Sequence, residues 1–110
     1  MKRIRSYSRM TKQALSILGK LIRANRMERG MTAVELSERA GISRKTLRAI
    51  EQGQGGSEVG VVFEVAALVG VRLFDADDKI LALQEARLDE KLTLLPKSVR
   101  HGKQEVDDDF

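Results

Sequence analysis

The residues best suited to chemistry in this chain are three cations that follow a serine near its middle. Arg44 and Lys45 come directly after Ser43, and Arg48 lies one helical turn beyond Arg44. A serine at this place can cap the start of a helix, whose first N–H groups bind anions such as phosphate. Cations on the exposed side of such a helix indicate a polyanion as ligand. Side chains at the start of an exposed helix are also those that enter the major groove of DNA.

The net charge of +4 is distributed unevenly along the 110 residues. Residues 1–56 hold 13 basic and 4 acidic residues, a net charge of +9, whereas residues 57–110 hold 7 basic and 12 acidic residues, a net charge of −5. A basic half suits a nucleic acid or an anionic membrane surface. The acidic half indicates a second surface, which is either solvated or faces a protein partner.

Composition excludes several other kinds of chemistry. The chain has no cysteine and one histidine, His101, so we expect no disulfide, no metal site and no cofactor. No group of residues combines a nucleophile, a base and an orienting partner, and no phosphate-binding loop occurs, so we do not expect an enzyme. The longest apolar stretch, residues 59–71, contains Glu64 and is too short to cross a membrane. No apolar signal core follows the basic start, so the expected location is cytoplasmic.

Two short helices joined by a tight turn are predicted to position the three cations. Thr32 and Glu35 form a capping-box pattern at the start of a helix that should end by residue 40. Gly41 tolerates the positive φ that the turn requires. A third helix is predicted over residues 43–52, with Leu47 facing inward. This succession is the helix-turn-helix arrangement.

The remaining elements are also predicted to be helices, so the expected fold class is all-α with five helices. Apolar residues three and four apart predict a first helix over about residues 11–29 and a fourth over residues 58–69. A strand is the alternative for the fourth because it is rich in β-branched residues. Residues 71–74 alternate apolar and polar types and suit a short strand or an extended segment. Aspartates then begin a fifth helix that ends before Pro96. The inward stripe of the fourth helix is predicted to contain Val59, Val62, Phe63, Ala66 and Val69.

One compact domain is predicted, with less ordered segments at both sides. Residues 1–12 are expected to form a basic, flexible arm and residues 13–74 the helix-turn-helix domain. Residues 75–96 are expected to form a C-terminal helix that offers a dimer or partner surface. Residues 97–110 lack periodicity and are expected to form a flexible tail.

A motif and its flanking helices carry a family resemblance. The string Gly-Ile-Ser-Arg-x-Thr-Leu-x-x-Ile-Glu occupies residues 41–51, with Leu18-Gly19 and Arg26 before it and Val69-Gly70-Val71 after it. On these residues, the chain from about residue 18 to residue 74 resembles the Xre-type (lambdoid phage repressor-like) helix-turn-helix family. The resemblance implies a five-helix, lambda-repressor-like domain. It also implies a repressor that binds a double-stranded DNA operator as a homodimer.

The same resemblance implies roles for individual residues. Arg26 would pair with Glu51 and brace the recognition helix, which is the third helix, against the first. The residues implied to lie closest to base edges are Arg44, Lys45 and Ala49. Those implied to contact phosphates are Thr32, Ser43, Thr46, Arg48 and Gln54.

Two departures from the family pattern lie on the expected DNA side. The family has a glutamine after the Thr32 position, where this chain has Ala33, so a phosphate contact is lost. The loop over residues 54–58 has no basic residue, so its phosphate donors are reduced to Gln54 and backbone N–H groups. Three arginines near the start are expected to compensate along the DNA backbone or in the minor groove, namely Arg3, Arg5 and Arg9.

A dimer surface is expected at and just before the fifth helix. Its candidate residues are Leu73, Phe74, Ile80 and Leu83. The alternative is that Leu73 and Phe74 close the core of the monomer.

A second resemblance concerns the biological setting. Residues 61–74 and the end Asp107-Asp108-Asp109-Phe110 resemble the Xre-type partners of HipA-like serine/threonine kinase toxins. This implies a HipB-like bacterial antitoxin of a type II toxin–antitoxin operon, which binds its kinase and represses the shared operon. The alternative is a stand-alone regulator of phage or plasmid origin with no toxin partner.

Overall fold

The computed structural model describes residues 6–101 and 104–105. The chain divides into two compact units, Met1–Leu73 and Phe74–Phe110. The helices of the first unit are α1 (Arg9–Glu28), α2 (Ala33–Ala40), α3 (Arg44–Glu51) and α4 (Val59–Leu68). A 3-10 turn (Leu73–Asp75) is followed by α5 (Asp78–Leu94). Two short antiparallel strands come last, β1 (Arg100–His101) and β2 (Gln104–Glu105), with Arg100 opposite Glu105. The predicted all-α class is confirmed.

Several of these helices begin at a residue whose side chain accepts a hydrogen bond from the backbone N–H three residues later. The Ser43 hydroxyl accepts from the Thr46 N–H at 3.0 Å, and the Asp77 carboxylate accepts from the Ile80 N–H at 3.0 Å. Such caps satisfy donors that a helix start otherwise leaves unpaired. The cap of α1 is Ser8, so α1 begins at Arg9 and not at about residue 11. Arg9 therefore lies on a helix and not in a flexible arm.

An aliphatic core holds the first unit together. Its buried members, each at most 3% exposed, are Ile22, Leu36, Leu47, Ile50, Val65, Ala66 and Val69. They come from all four helices of the unit, so each helix buries one face against the others. Leu47 faces inward from α3 as predicted.

The fourth segment is a helix, but its inward stripe differs from the predicted one. Val65 is fully buried, whereas Val59 and Phe63 are 67% and 37% exposed. Positions 62, 65, 66 and 69 follow the three-and-four spacing of a single helical face. The stripe is therefore rotated relative to the prediction, and Val65 takes the place expected for Phe63.

The segments outside these helices also differ from expectation. Residues 71–74 contain no strand, because Leu73 begins a 3-10 turn in which Phe74 and Asp75 have φ of 55° and 52°. In the segment predicted to form a flexible tail, β1 and β2 pair within the described residues. None of the described helices is both long and apolar enough to cross a membrane.

Candidate nucleic-acid interface

The helix α3 separates a buried apolar side from an exposed cationic side. Leu47 and Ile50 are packed into the core. Arg44, Lys45 and Arg48 are exposed, and Ala49 is half-buried between the two sides. The cations that the sequence singled out therefore lie on the solvent side of a helix whose other side is held by the core.

The turn before α3 controls the direction in which this helix starts. Gly41 ends α2 with φ 70°, and the Ile42 N–H donates to the Ser37 carbonyl at 3.0 Å. Ile42 packs against the core from the corner of the turn. A positive φ is readily adopted by glycine, which has no Cβ. The predicted helix-turn-helix is present.

Two hydroxyls at the start of α3 are bonded to each other. Besides accepting from the Thr46 N–H, the Ser43 hydroxyl donates to Thr46 Oγ1 at 3.0 Å. Its proton is therefore used within the protein, whereas the proton of Thr46 is left to donate elsewhere. A phosphate at this helix start would be bound by backbone N–H groups and the Thr46 hydroxyl.

An open groove of about 820 Å³ runs along one side of α3. Lys45, Thr46, Arg48 and Ala49 line it from the helix, and Gln54 lines it from the α3–α4 loop. The structure thus brings five of the predicted DNA-contacting residues to one surface. Glu58 is the acidic residue of the lining.

A smaller recess of about 370 Å³ adjoins the groove, and Arg48 and Gln52 line both. Its lining includes two predicted residues, Thr32 and Arg44. It also includes Ala33 and Arg23, which were not among the predicted site residues. Arg23 lies three residues before Arg26 on α1, so it shares a helix face with a residue that was selected. That spacing is the signal by which Arg23 could have been found.

The pair Arg26 and Glu51 connects α1 to the end of α3. Arg26 Nε lies 2.7 Å from Glu51 Oε2, and Nη2 lies 3.1 Å from Oε1, a bidentate geometry. A third bond runs from Nη1 to the Met31 carbonyl at 3.0 Å. The two side chains are 12% and 9% exposed. The hydrogen-bonded carboxylate of Glu51 raises the pKa of Arg26 above its ordinary value.

The capping box at α2 places Thr32 at the edge of the recess. Its hydroxyl accepts from the Glu35 N–H at 3.1 Å, and its own N–H donates to Glu35 Oε1 at 3.0 Å. Hydrogen bonds from the backbone and side chain of Thr32 lower the pKa of Glu35. These bonds stabilise the ionised carboxylate at the positive end of the helix.

Residues near the start of the chain contact the α3–α4 loop. The Tyr7 hydroxyl donates to the Gly55 carbonyl at 3.1 Å across 48 positions of sequence. Tyr7 was not among the predicted site residues, although it is the single tyrosine of the chain and stands among basic residues. Of the three arginines expected to compensate for Ala33, Arg9 is exposed on α1. Arg3 and Arg5 lie outside the described residues.

The four candidate dimer residues fall into both units. Leu73 is half-buried and packs against the core of the first unit. Phe74, Ile80 and Leu83 belong to the second unit, where they are exposed. In the residues that the structure describes, no group of acidic and histidine side chains is arranged to hold a metal ion.

A bundle with a basic α3 at its surface defines a helix-turn-helix domain, and the comparisons with known proteins agree. A family model described as "Helix-turn-helix" matches residues 22–75. An "Uncharacterized HTH-type transcriptional regulator" of Methanothermobacter thermautotrophicus is 38% identical over 50 residues, which cover 46% of this chain and 72% of the relative.

The chain belongs to the Xre-like helix-turn-helix family of transcriptional regulators. This membership confirms the resemblance of residues 18–74 and places the chain among regulators and not among enzymes.

Proposed function

We propose that the protein is a sequence-specific, DNA-binding transcriptional repressor. The observation that carries the proposal is the outward side of α3, where Arg44, Lys45 and Arg48 are exposed on a helix fixed by the core and by the Arg26–Glu51 pair. A rigid basic helix after a tight turn is the arrangement that enters the major groove. The open groove beside α3 brings Lys45, Thr46, Arg48, Ala49 and Gln54 to one surface.

Within this proposal the residues divide by what they can bond. Arg44 has the forked guanidinium that can bond two acceptors of guanine, and the other two proposed base contacts, Lys45 and Ala49, line the groove beside α3. Thr46, Arg48 and backbone N–H groups after Ser43 would hold phosphates, as would Thr32 and Gln54. Arg23, which lines the recess beside Ala33, is proposed to supply the phosphate contact that alanine cannot make. The proposed phosphate contacts also include Arg9, and Arg3 and Arg5 outside the described residues.

Replacing Arg44 with alanine should weaken binding to a specific duplex far more than binding to random DNA. A duplex enriched from a random pool by the wild-type chain supplies the specific site. A bidentate arginine–guanine contact contributes about 1–3 kcal/mol of discrimination, so the specific dissociation constant should rise about 5- to 150-fold. Fluorescence anisotropy with both duplexes measures the two losses.

The control for this experiment is Arg29→Ala, which removes the same charge from the exposed residue that caps the end of α1. It should weaken binding to both duplexes slightly and equally. Equal losses for Arg44→Ala would show that Arg44 contacts phosphate and not a base. Failure of the wild-type chain to enrich any sequence would contradict the proposed function itself.

We also propose that the protein acts as a homodimer, with the second unit providing the contact. The helix α5 buries none of its residues, and five of its large apolar side chains are 47–81% exposed, namely Ile80, Leu83, Leu88, Leu92 and Leu94. Exposed apolar side chains in this number on one helix are characteristic of an interaction surface. Two copies would then reach half-sites about one turn of DNA apart.

Placing a charge on this face should dissociate the dimer. Leu83→Asp introduces a carboxylate where the second copy would pack, so sedimentation equilibrium should show a monomer at concentrations at which the wild type is dimeric. Ala82→Asp adds the same charge at the neighbouring exposed position, one turn from Asp78, and should leave the dimer intact. An unchanged dimer in Leu83→Asp would exclude this surface.

As a finer proposal, the protein is a HipB-like antitoxin that binds a HipA-like kinase. Support comes from the resemblance of residues 61–74 and 107–110, the net charge of −5 in the second half, and the exposed apolar face of α5. The stand-alone regulator without a toxin accounts for the family membership equally well. A kinase reading frame next to the gene and its co-purification with this chain would support the antitoxin. The absence of such a frame would favour the stand-alone regulator.

A further inference from the structure

The helix α1 carries apolar residues on the side that faces away from the core as well as on the side that forms it. The outward residues are all exposed and form the outer face of α1, namely Met10, Ala14, Ile17, Leu21 and Ala24. The large side chains of Met10, Ile17 and Leu21 are 81%, 53% and 47% exposed. Successive members stand four and three positions apart, which is the spacing by which two helices pack along their length.

The outer face lies on the opposite side of α1 from the contact with α3. Gly19 lies directly against the end of α3, and Ile22 belongs to the core. At about 3.6 residues per turn, Ile17 and Leu21 lie about 160° and 200° around the helix axis from Gly19. A helix packed on the outer face would therefore leave α3 and its exposed cations uncovered.

The outer face is complementary to a second copy of itself when the two helices run in opposite directions. In a symmetric contact between two copies, residue i contacts j wherever j contacts i. Antiparallel pairing about an axis at Ile17 places Met10 opposite Ala24 of the second copy, and Ala14 opposite Leu21 of the second copy. Each large side chain beside the axis is then matched with an alanine, which is how packed layers interdigitate. Parallel pairing would instead place large against large and alanine against alanine.

The charges at the two ends of α1 favour the same antiparallel direction. Glu28 is exposed and stands seven positions beyond Leu21, so it continues the outer face at the end of the helix. Arg9 is exposed at the first position of the helix. Antiparallel pairing brings each Glu28 to the positive end of the other α1, near its Arg9. Parallel pairing would bring the two Glu28 carboxylates together, which is unfavourable.

We propose that the outer face of α1 binds the same face of a second copy in antiparallel orientation, as a contact separate from that of α5. With both contacts, the chain assembles as pairs of dimers. Three large exposed side chains make a smaller apolar contact than the five of α5, so this assembly should need a higher concentration than dimer formation. Two dimers joined in this way would bind adjacent DNA sites cooperatively, because each raises the local concentration of the other. The contact itself does not depend on DNA binding.

Because the chain has no cysteine, disulfide trapping in the full chain can identify the contact. In Ile17→Cys the two thiols face each other across the axis, so oxidation should link most of the protein into pairs on a non-reducing gel. In Ala24→Cys the two thiols are separated by about 14 helical residues, or about 21 Å, which a disulfide cannot span. Ala24→Cys should therefore link to Met10→Cys in a mixture but not to itself. The control is Lys12→Cys, exposed on the other side of α1, which should not link.

Sedimentation equilibrium at increasing concentration measures the assembly itself. The wild type should pass from two copies to four, whereas Ile17→Glu should remain at two because its carboxylate would be buried in the contact. Val59→Glu places the same charge at an exposed apolar position of α4 and should behave as the wild type. Glu28→Arg should raise the dissociation constant of the four-copy species about 3- to 10-fold, and adding Arg9→Glu should restore it.

Three outcomes would overturn the inference. The first is the absence of a disulfide in Ile17→Cys, and the second is linking of Ala24→Cys to itself, which indicates a parallel pair. The third is a loss of assembly in Ile17→Glu without linking in Ile17→Cys, because another surface would then cover the outer face. The proposed function would survive each of these results, since Leu83→Asp tests the α5 contact separately. Linking of Ile17→Cys together with an unchanged dimer in Leu83→Asp would support the α1 contact and exclude that of α5.

Discussion

Replacing Arg26 with alanine should lower the free energy of unfolding by about 3–5 kcal/mol, a large fraction of the stability of a small domain. The guanidinium makes two bonds to Glu51 and one to the Met31 carbonyl. Its loss leaves the carboxylate of Glu51, which is 9% exposed, without its cation. A charge stranded in this way costs more than the intact pair contributes. Urea denaturation followed by circular dichroism measures the change.

The matched control is Arg23→Ala, which makes the same substitution on the same helix. Arg23 is exposed, so its loss should change the free energy of unfolding by about 0.5 kcal/mol or less. A double-mutant cycle with Glu51→Ala isolates the coupling between the two side chains. In the double variant no charge is stranded, so part of the stability should return. Equal effects of Arg26→Ala and Arg23→Ala would contradict the structural importance of the pair.

The loss of the Arg26 side chain should also affect the proposed DNA-binding surface. Glu51 is the last residue of α3, and its pairing with Arg26 fixes that end of the helix to α1. The other end is fixed by the turn at Gly41. An α3 released at one end presents Arg44 and Lys45 in several orientations, so specific affinity should fall even under conditions in which the variant is folded.

The sequence predicts well those parts of the fold that depend on residues close together in the chain. Thr32 and Glu35 stand three apart, and their capping box forms as the spacing indicates. Gly41 takes the positive φ that its position in the turn requires. The pairing of Arg26 with Glu51 is different, because 25 positions separate the two residues. It came from the family resemblance, since no local pattern joins residues at that distance.

Other features are beyond sequence reasoning because packing decides them. The valine-rich α4 is apolar on most of its surface, so periodicity alone does not tell which side turns inward. In the structure Val65 is fully buried in the core, whereas Phe63 is 37% exposed. Residues 71–74 alternate as a strand would, yet Phe74 takes a left-handed φ in a 3-10 turn. The contact of Tyr7 with Gly55 spans 48 positions and has no sequence signature.

Close approach of α1 to the end of α3 depends on a glycine in the middle of α1. A Cβ on Gly19 would lie 2.5 Å from the Ile50 carbonyl oxygen and 2.6 Å from that of Glu51. Both are backbone atoms, which cannot rotate away as a side chain does. On α1, Gly19, Ile22 and Arg26 share one face, so the close approach, the core contact and the ion pair all lie on the same side of α1.

Gly19→Ala should therefore destabilise the protein, although alanine is the better helix former. Helix propensity alone favours alanine by about 1 kcal/mol. Overpacking costs about 1–3 kcal/mol or more, and the rigid backbone atoms at Gly19 place the expected cost at or above the top of that range. We expect a net loss of about 2 kcal/mol or more in the free energy of unfolding, measured by urea denaturation.

The control is a second helical glycine with open surroundings, for which the opposite sign is expected. Gly60 lies in α4, and a Cβ there meets nothing within 4 Å. Gly60→Ala should raise the free energy of unfolding by about 0.5–1 kcal/mol, because alanine loses less conformational entropy in a helix. If Gly19→Ala were also stabilising, α1 and α3 would have to lie farther apart than the structure places them. Opposite signs would show that the contact of α1 with α3 requires glycine at position 19.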